Sequence, residues 1–453
     1  MRRANLLAVL ALLLGSLSAV PAAADGRVEV VELGLGAGGI MSDNVEYIGT
    51  IPVESPGIGG RVLEVDGQQR FYMTGAKGLT ILDVTNPASP VTLGRLPLPH
   101  FQNEDVDVSD DGKRVIISTD TAAARLPGYP GFGSTGNGIH IIDTSDVTAP
   151  KAVGFIALSN HTTTCADAAC EWLYGSSGHI VDATDPAAPK DTGKKWFRNG
   201  VTGSHALNRD ASGLMISDST PRLVLDVSDP TNPVALAEGR PDTRKFGQDG
   251  LLQHNNVRPD ADQWVPREEG DTDPLMRAGE LMIGNSESNI NRNCNQAGGL
   301  STWNMTDFDK GRPMQQIDVF RPFNGNWVDG NPAANALGCS GHWFTVDGEM
   351  VTTSWYEHGV RFFHVDRETG KITQKGFFQP IATQAGAAHW ITDAEGNKYV
   401  YSADYARGLD ILKFNPDAPE PTAEEFKQSW LINLGKVGAQ AEAERLLCRL
   451  SQT

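Results

Sequence analysis

Gly78-Leu-Thr-Ile-Leu-Asp-Val-Thr-Asn-Pro-Ala-Ser-Pro-Val91 is one copy of a phrase that returns along the chain. Further copies are Gly138-Ile-His-Ile-Ile-Asp-Thr-Ser-Asp-Val-Thr-Ala-Pro-Lys151 and Arg222-Leu-Val-Leu-Asp-Val-Ser-Asp-Pro-Thr-Asn-Pro-Val234. A worn copy is Gly178-His-Ile-Val-Asp-Ala-Thr-Asp-Pro-Ala-Ala-Pro189. Each is a short apolar strand followed by an Asp/Pro turn, in units of about 40 residues. Such a unit cannot bury both faces alone and predicts a ring of blades.

Working outward by period-two apolar stretches gives seven blades over residues 43–416. Blade one reads 60–65, 70–73, 79–82 and 91–96, and blade two repeats the plan at 105–108, 114–117, 138–142 and 152–156. Blades three and four fall at 161–195 and 205–238. Blade five is swollen by insertions at 259–279 and 286–298, and blade six covers 341–378. Blade seven has only three strands before Asn415-Pro416. The orphan Val45-Glu-Tyr-Ile-Gly-Thr-Ile-Pro52 has the fourth-strand pattern of Val91-Thr-Leu-Gly-Arg-Leu-Pro97. The fold class expected is therefore an all-β, seven-bladed propeller, its last blade closed by the N-terminal strand so that no sheet edge is left open.

The Leu-Asp-Val-Ser-Asp-Pro-x-x-Pro phrase resembles that of LVIVD-repeat propellers, found in secreted bacterial and archaeal proteins. The resemblance runs over nearly the whole chain beyond its leader and is best in blades one, two and four. It implies the fold, and it implies no single reaction.

Residues 1–24 have Arg2 and Arg3, an apolar run too short to span a bilayer, and a small-residue site ending at Ala24. This is the pattern of a secretory leader, so the expectation is a soluble secreted or periplasmic/extracellular protein without membrane insertion. The formal charge is −18, or −20 once Arg2 and Arg3 are removed, which argues against nucleic-acid partners. Five cysteines suit export: Cys165 and Cys170 are spaced for a small loop, Cys294 and Cys339 for a longer bridge, and Cys448 is left over. Residues 417–453 read as a linker and a short helical tail. Thr422 and Glu425 form a capping box, Phe426, Trp430, Leu431 and Leu434 share a face, Gly435 ends that helix, and a second runs from about 439 to 450.

Chemistry is sought where first strands begin at the pore. Blades three to seven all have histidine there: His161, His205, His254, His342 and His389. Blade two places Asp105 and blade one Arg61 near that position. Converging imidazoles with a carboxylate suit a transition metal such as copper, iron or zinc. The same rings also suit structural hydrogen bonds to the next blade's backbone, and the pattern does not choose between these. Glu287, Glu357, His358, Asp404, Tyr405 and Arg407 lie in loops at the same end and are candidate ligand-rim residues. Aspartates of the repeat phrase are read as turn formers. No phosphate loop, dinucleotide fingerprint, Gly-x-Ser-x-Gly or His-Glu-x-x-His occurs, so no nucleotide cofactor is expected. Three functions are consistent with these residues: binding of a metal ion or small polar ligand at the pore mouth, with an extracytoplasmic protein as a further class of partner; a copper- or iron-dependent oxidoreductase; and an adhesion scaffold.

Overall fold

The computed structural model describes residues 28–35, 39–52, 57–75, 78–98, 105–119, 138–246, 252–287, 298–321, 341–381 and 383–431. The expected leader, Cys294, Cys339, Cys448, Leu434, Gly435 and the expected second tail helix lie outside them.

Seven antiparallel sheets form the ring. Blade one is Gly57–Val65, Gln68–Gly75, Gly78–Asp83 and Val91–Pro97. The inner strands of the other blades are Val106–Val108, Thr163–Cys165, Leu207–Arg209, Leu252–Val257, Phe344–Asp347 and Ala385–Thr392. Each inner strand touches the next, and the last touches the first, so the ring closes. Seven apolar clusters among the described residues each span one blade interface; Phe71 and Leu82 of blade one, for example, pack with Ile391, Tyr401 and Ile411 of blade seven. The strand alternation of the repeat therefore feeds two interfaces at once, which is why no blade is stable alone.

The Asp residues of the repeat phrase build turns. Asp83, Asp143, Asp182 and Asp226 each accept from the backbone N–H two residues on, at 2.9–3.0 Å. Val45–Ile51 pairs with Gly408–Phe414 as the outer strand of blade seven, with Val45 opposite Phe414 and Ile51 opposite Leu409. Blade six gains something the sequence reading did not include: Ile40–Met41 pairs with Gln379 and Phe378 as a fifth strand. The chain's N-terminal part thus clasps two blades.

Cys165 and Cys170 are disulfide-bonded. The capping box is present: Glu425 N–H donates to Thr422 Oγ1 at 3.3 Å and Thr422 N–H to Glu425 Oε2 at 2.7 Å. The helix Ala423–Leu431 lays Trp430 and Phe426 against blade six. No described helix is long and apolar enough to cross a membrane.

Candidate pore-mouth histidine site

Four histidines of consecutive blades stand ring to ring. The centroids of His161 and His205 are 4.6 Å apart, those of His205 and His254 3.8 Å, and those of His254 and His342 4.1 Å. Nε2 of His161 and Nε2 of His205 lie 3.0 Å apart. His254 and His342 are fully buried, and Trp343 backs the group at 5.2 Å from His254. Inner strands hold these rings at one depth because neighbouring blades are in register: Thr162 and Thr164 hydroxyls donate to the carbonyls of His205 and Leu207. Asn285 continues the tie by accepting from Asn255 N–H at 3.1 Å and donating to the His342 carbonyl.

Glu287 ends the second strand of blade five, on the side of the ring where the second strand turns into the third, and joins the histidines. Ligand atoms of His205, His254 and Glu287 lie within 4.8 Å of one another. The Tyr356 hydroxyl donates to Glu287 Oε1 at 2.6 Å, and the Tyr356 ring stands 4.7 Å from His342. Donors on one zinc-like ion at 2.0–2.2 Å sit about 3–4 Å apart, so small side-chain rotations close the set.

Other expected members stand elsewhere. His389 is not with the four: Trp343 bridges Ala387 in parallel register, and His342 Nδ1 meets the Gly386 carbonyl, so blade seven's equivalent position is Gly386, three residues earlier. The His389 ring instead packs on Phe71 at 5.2 Å between blades seven and one, and burial pushes its pKa down to about 4. His358 is turned from the pore. It lies 5.2 Å from Trp430 under the C-terminal helix, its pKa pushed down to about 3 by burial, then by the Arg361 charge. Asp105 approaches Thr164 at 3.4 Å, deeper along the inner strands than His161. Arg61 is engaged by Asp107 at 2.6 Å.

Asp404 is a turn carboxylate, buried, accepting from Thr383 Oγ1 at 2.6 Å and from Gln384, Ala406 and Arg407 N–H groups. Burial, and then the Asp410 charge, raises its pKa to about 6. Arg407 pairs with Asp410 at 2.8 Å and donates to the Gly34 carbonyl, fastening the N-terminal segment rather than rimming the pore. Tyr405 hydrogen-bonds through its backbone to Gln384, and Glu357 is buried in the turn after Tyr356.

Sequence reading missed Tyr356, Trp343 and Asn285. It also missed a buried cluster beside His254, where Arg222 donates to Gln253 at 2.7 and 3.0 Å and pairs with Asp218. Asp218 is raised to about 6 because burial outweighs the Arg222 attraction. Nothing in strand periodicity marks an arginine that begins a third strand as buried.

Residues 71–96 match the family model for the LVIVD repeat. No curated protein sequence matches the chain. Among solved structures, the chain is similar to the β-propeller domain of Myceliophteria thermophila Cps50 (Swd1), at 11% identity and TM-score 0.51, covering 81% of this chain and 99% of that one. It is likewise similar to the WD40 repeats of RRP9, at 8% identity and TM-score 0.51, covering 85% and 99%. These likenesses show the propeller fold.

Proposed function

We propose that this propeller with its LVIVD repeat is an exported binding module that holds a divalent transition metal ion at the pore mouth, with His205, His254 and Glu287 as ligands and His161 and His342 flanking them. The observation that carries the reading is the convergence of two imidazoles and a carboxylate, from two blades, within 4.8 Å. Histidine with carboxylate suits zinc, copper or iron better than calcium or magnesium, which prefer all-oxygen shells. Asn285 and Tyr356 supply the outer hydrogen bonds such sites use to orient their ligands. The leader and the Cys165–Cys170 disulfide support export.

The test is equilibrium dialysis of the purified, metal-stripped protein against Zn(II), Cu(II) and Fe(II), followed by elemental analysis. One bound equivalent is expected, lost in H205A, H254A and E287Q. A wild-type protein that takes up no stoichiometric metal, or variants that take up as much as wild type, would overturn the reading and leave a scaffold. Two histidines and one carboxylate are also the donor set of Fe(II) oxygenase sites. That set is what favours an oxidoreductase as the second reading, and dioxygen uptake well beyond one equivalent per iron by the Fe(II)-loaded protein with a reductant supplied, absent in E287Q, separates it from binding alone.

A further inference from the structure

We infer that the turn 355–359 is a strut that carries the docking of the C-terminal helix to Glu287, with Tyr356 as the positioning residue at the pore and Trp430 as its brace. The inference rests on the metal reading above and assigns the residues that set its carboxylate ligand.

The turn faces two ways. On the pore side Tyr356 gives its hydroxyl to Glu287 Oε1 and lays its ring beside His342. On the outer side the Trp430 ring stands 5.2 Å from Trp355 and 5.2 Å from His358. It also stacks 3.8 Å from the Arg361 guanidinium, on the strand that follows the turn. Arg361 donates to Ser429 Oγ at 2.6 Å and to the Ser429 carbonyl at 3.0 Å, and it has no carboxylate partner among the described residues. The buried guanidinium is met instead by the Ser429 hydroxyl and carbonyl of the helix and by Gln379 Oε1 at 2.7 Å, and these directed hydrogen bonds give the docking a specific register.

Between these two faces the backbone has little room to yield. Trp355 N–H donates to the Gly359 carbonyl at 2.7 Å, His358 N–H to the Trp355 carbonyl at 2.8 Å, and Gly359 N–H to the Tyr356 carbonyl at 3.0 Å. Gly359 is at φ 69°, and a Cβ there would meet the Phe378 carbonyl oxygen at 2.2 Å. Tyr356 itself is held at φ 35°, a left-handed conformation that a tyrosine adopts only when its surroundings impose it. Ala385 N–H donates to the Tyr356 carbonyl at 3.0 Å and pins the turn to blade seven. A residue held in such a conformation by contacts on both sides transmits a shift on one side to the other. Removing the brace lets Tyr356 relax and releases the Glu287 carboxylate from its fixed rotation.

The experiment is calorimetric Zn(II) titration of the full chain and its variants. Y356F keeps the ring beside His342 and loses only the hydroxyl. It is expected to bind Zn(II) about tenfold more weakly, the usual scale for an outer hydrogen bond to a ligand, with little change in apo melting temperature. W430A is expected to weaken binding similarly, and W430F to recover most of it. If Trp430 acts through Tyr356, the double variant Y356F/W430A binds no more weakly than the weaker single variant; additive losses would overturn the coupling. Unchanged affinity in either Y356F or W430A would overturn the inference while the metal site stands. If wild type binds no Zn(II), the functional reading fails separately. The strut is then decided by amide exchange of His358 and Gly359 in metal-free protein, where protection lost in W430A supports it and protection retained overturns it.

Discussion

His389 shows how one residue type takes different chemistry from different neighbours. Its imidazole is buried against Phe71, and burial disfavours the charged form, pushing the pKa down to about 4 against an unfolded value of about 6.5. Between those pH values the unfolded chain binds a proton that the folded one excludes. The contribution of neutral His389 is therefore complete above about pH 6.5 and is lost as pH falls, at about 1.4 kcal/mol per unit until about pH 4. Asp218 and Asp404, raised to about 6, have the opposite slope: the folded state binds their protons more tightly, so their contribution is present at low pH and declines as pH rises toward 6. The wild-type profile blends both, so the informative measurement is a difference. Urea-derived stability of H389L relative to wild type should improve steadily from pH 6.5 to 4.5, and a difference independent of pH would contradict the burial argument. In the sequence His389 looked equivalent to the pore histidines because each precedes a turn at similar spacing. Blade seven's inner strand starts earlier, at Ala385, which moves the pore position to Gly386. The direction of Tyr356 was not legible at all, since a turn has no side-chain period.

At the scale of the strand, the repeat carries a signal that the sequence displayed and the structure explains. The outer strands of blades one, two and six and the closing strand each contain a bulge followed by glycine: Gly94, Gly154, Gly376 and Gly49. At Gly94 a Cβ would lie 1.9 Å from the Val147 carbonyl oxygen, in the Asp/Pro turn of the next blade, and at Gly154 it would lie 1.8 Å from that of Pro186. The glycine is the notch into which the neighbouring turn fits, and the obstacle is backbone that cannot rotate away. G94A and G154A should each cost about 1–3 kcal/mol in denaturant melts with an unchanged m-value. A neutral result would mean that adjacent blades are not held at this spacing. The glycine of Val45-Glu-Tyr-Ile-Gly-Thr-Ile-Pro52 has the same place after a bulge, although there it faces Val30 and Val31 of the N-terminal segment rather than a repeat turn, and the shared strand pattern is what made the orphan recognisable without its partner. The two-residue strand Ile40–Met41 had no such mark and too little length to show a period.

For the whole molecule, the decisive feature is that the ring is joined by a strand rather than by a covalent bond. Val45, Thr50 and Ile51 of that strand are buried, the Thr50 hydroxyl donates to Asp410, and Asp410 is in turn held by Arg407. Removing the strand exposes the edge of Gly408–Phe414, uncovers apolar faces shared by blades six and seven, and leaves Asp410 with one fewer donor. Deletion of residues 43–52 is therefore expected to lower the melting temperature steeply. A deletion alone does not separate lost closure from general damage, so the stronger experiment moves the strand. Residues 39–52 fused after residue 416 through a flexible linker, with the original copy removed, offer the same side chains to the same edge from the other end of the chain. Closure depends on the strand's register opposite Leu409 to Phe414 and not on chain order, so the permuted protein should regain most of the lost melting temperature and unfold in one cooperative transition. If the deletion melts like wild type, the ring does not depend on its clasp. If the permuted chain stays as unstable as the deletion, the N-terminal strand stabilises the molecule by something other than completing blade seven.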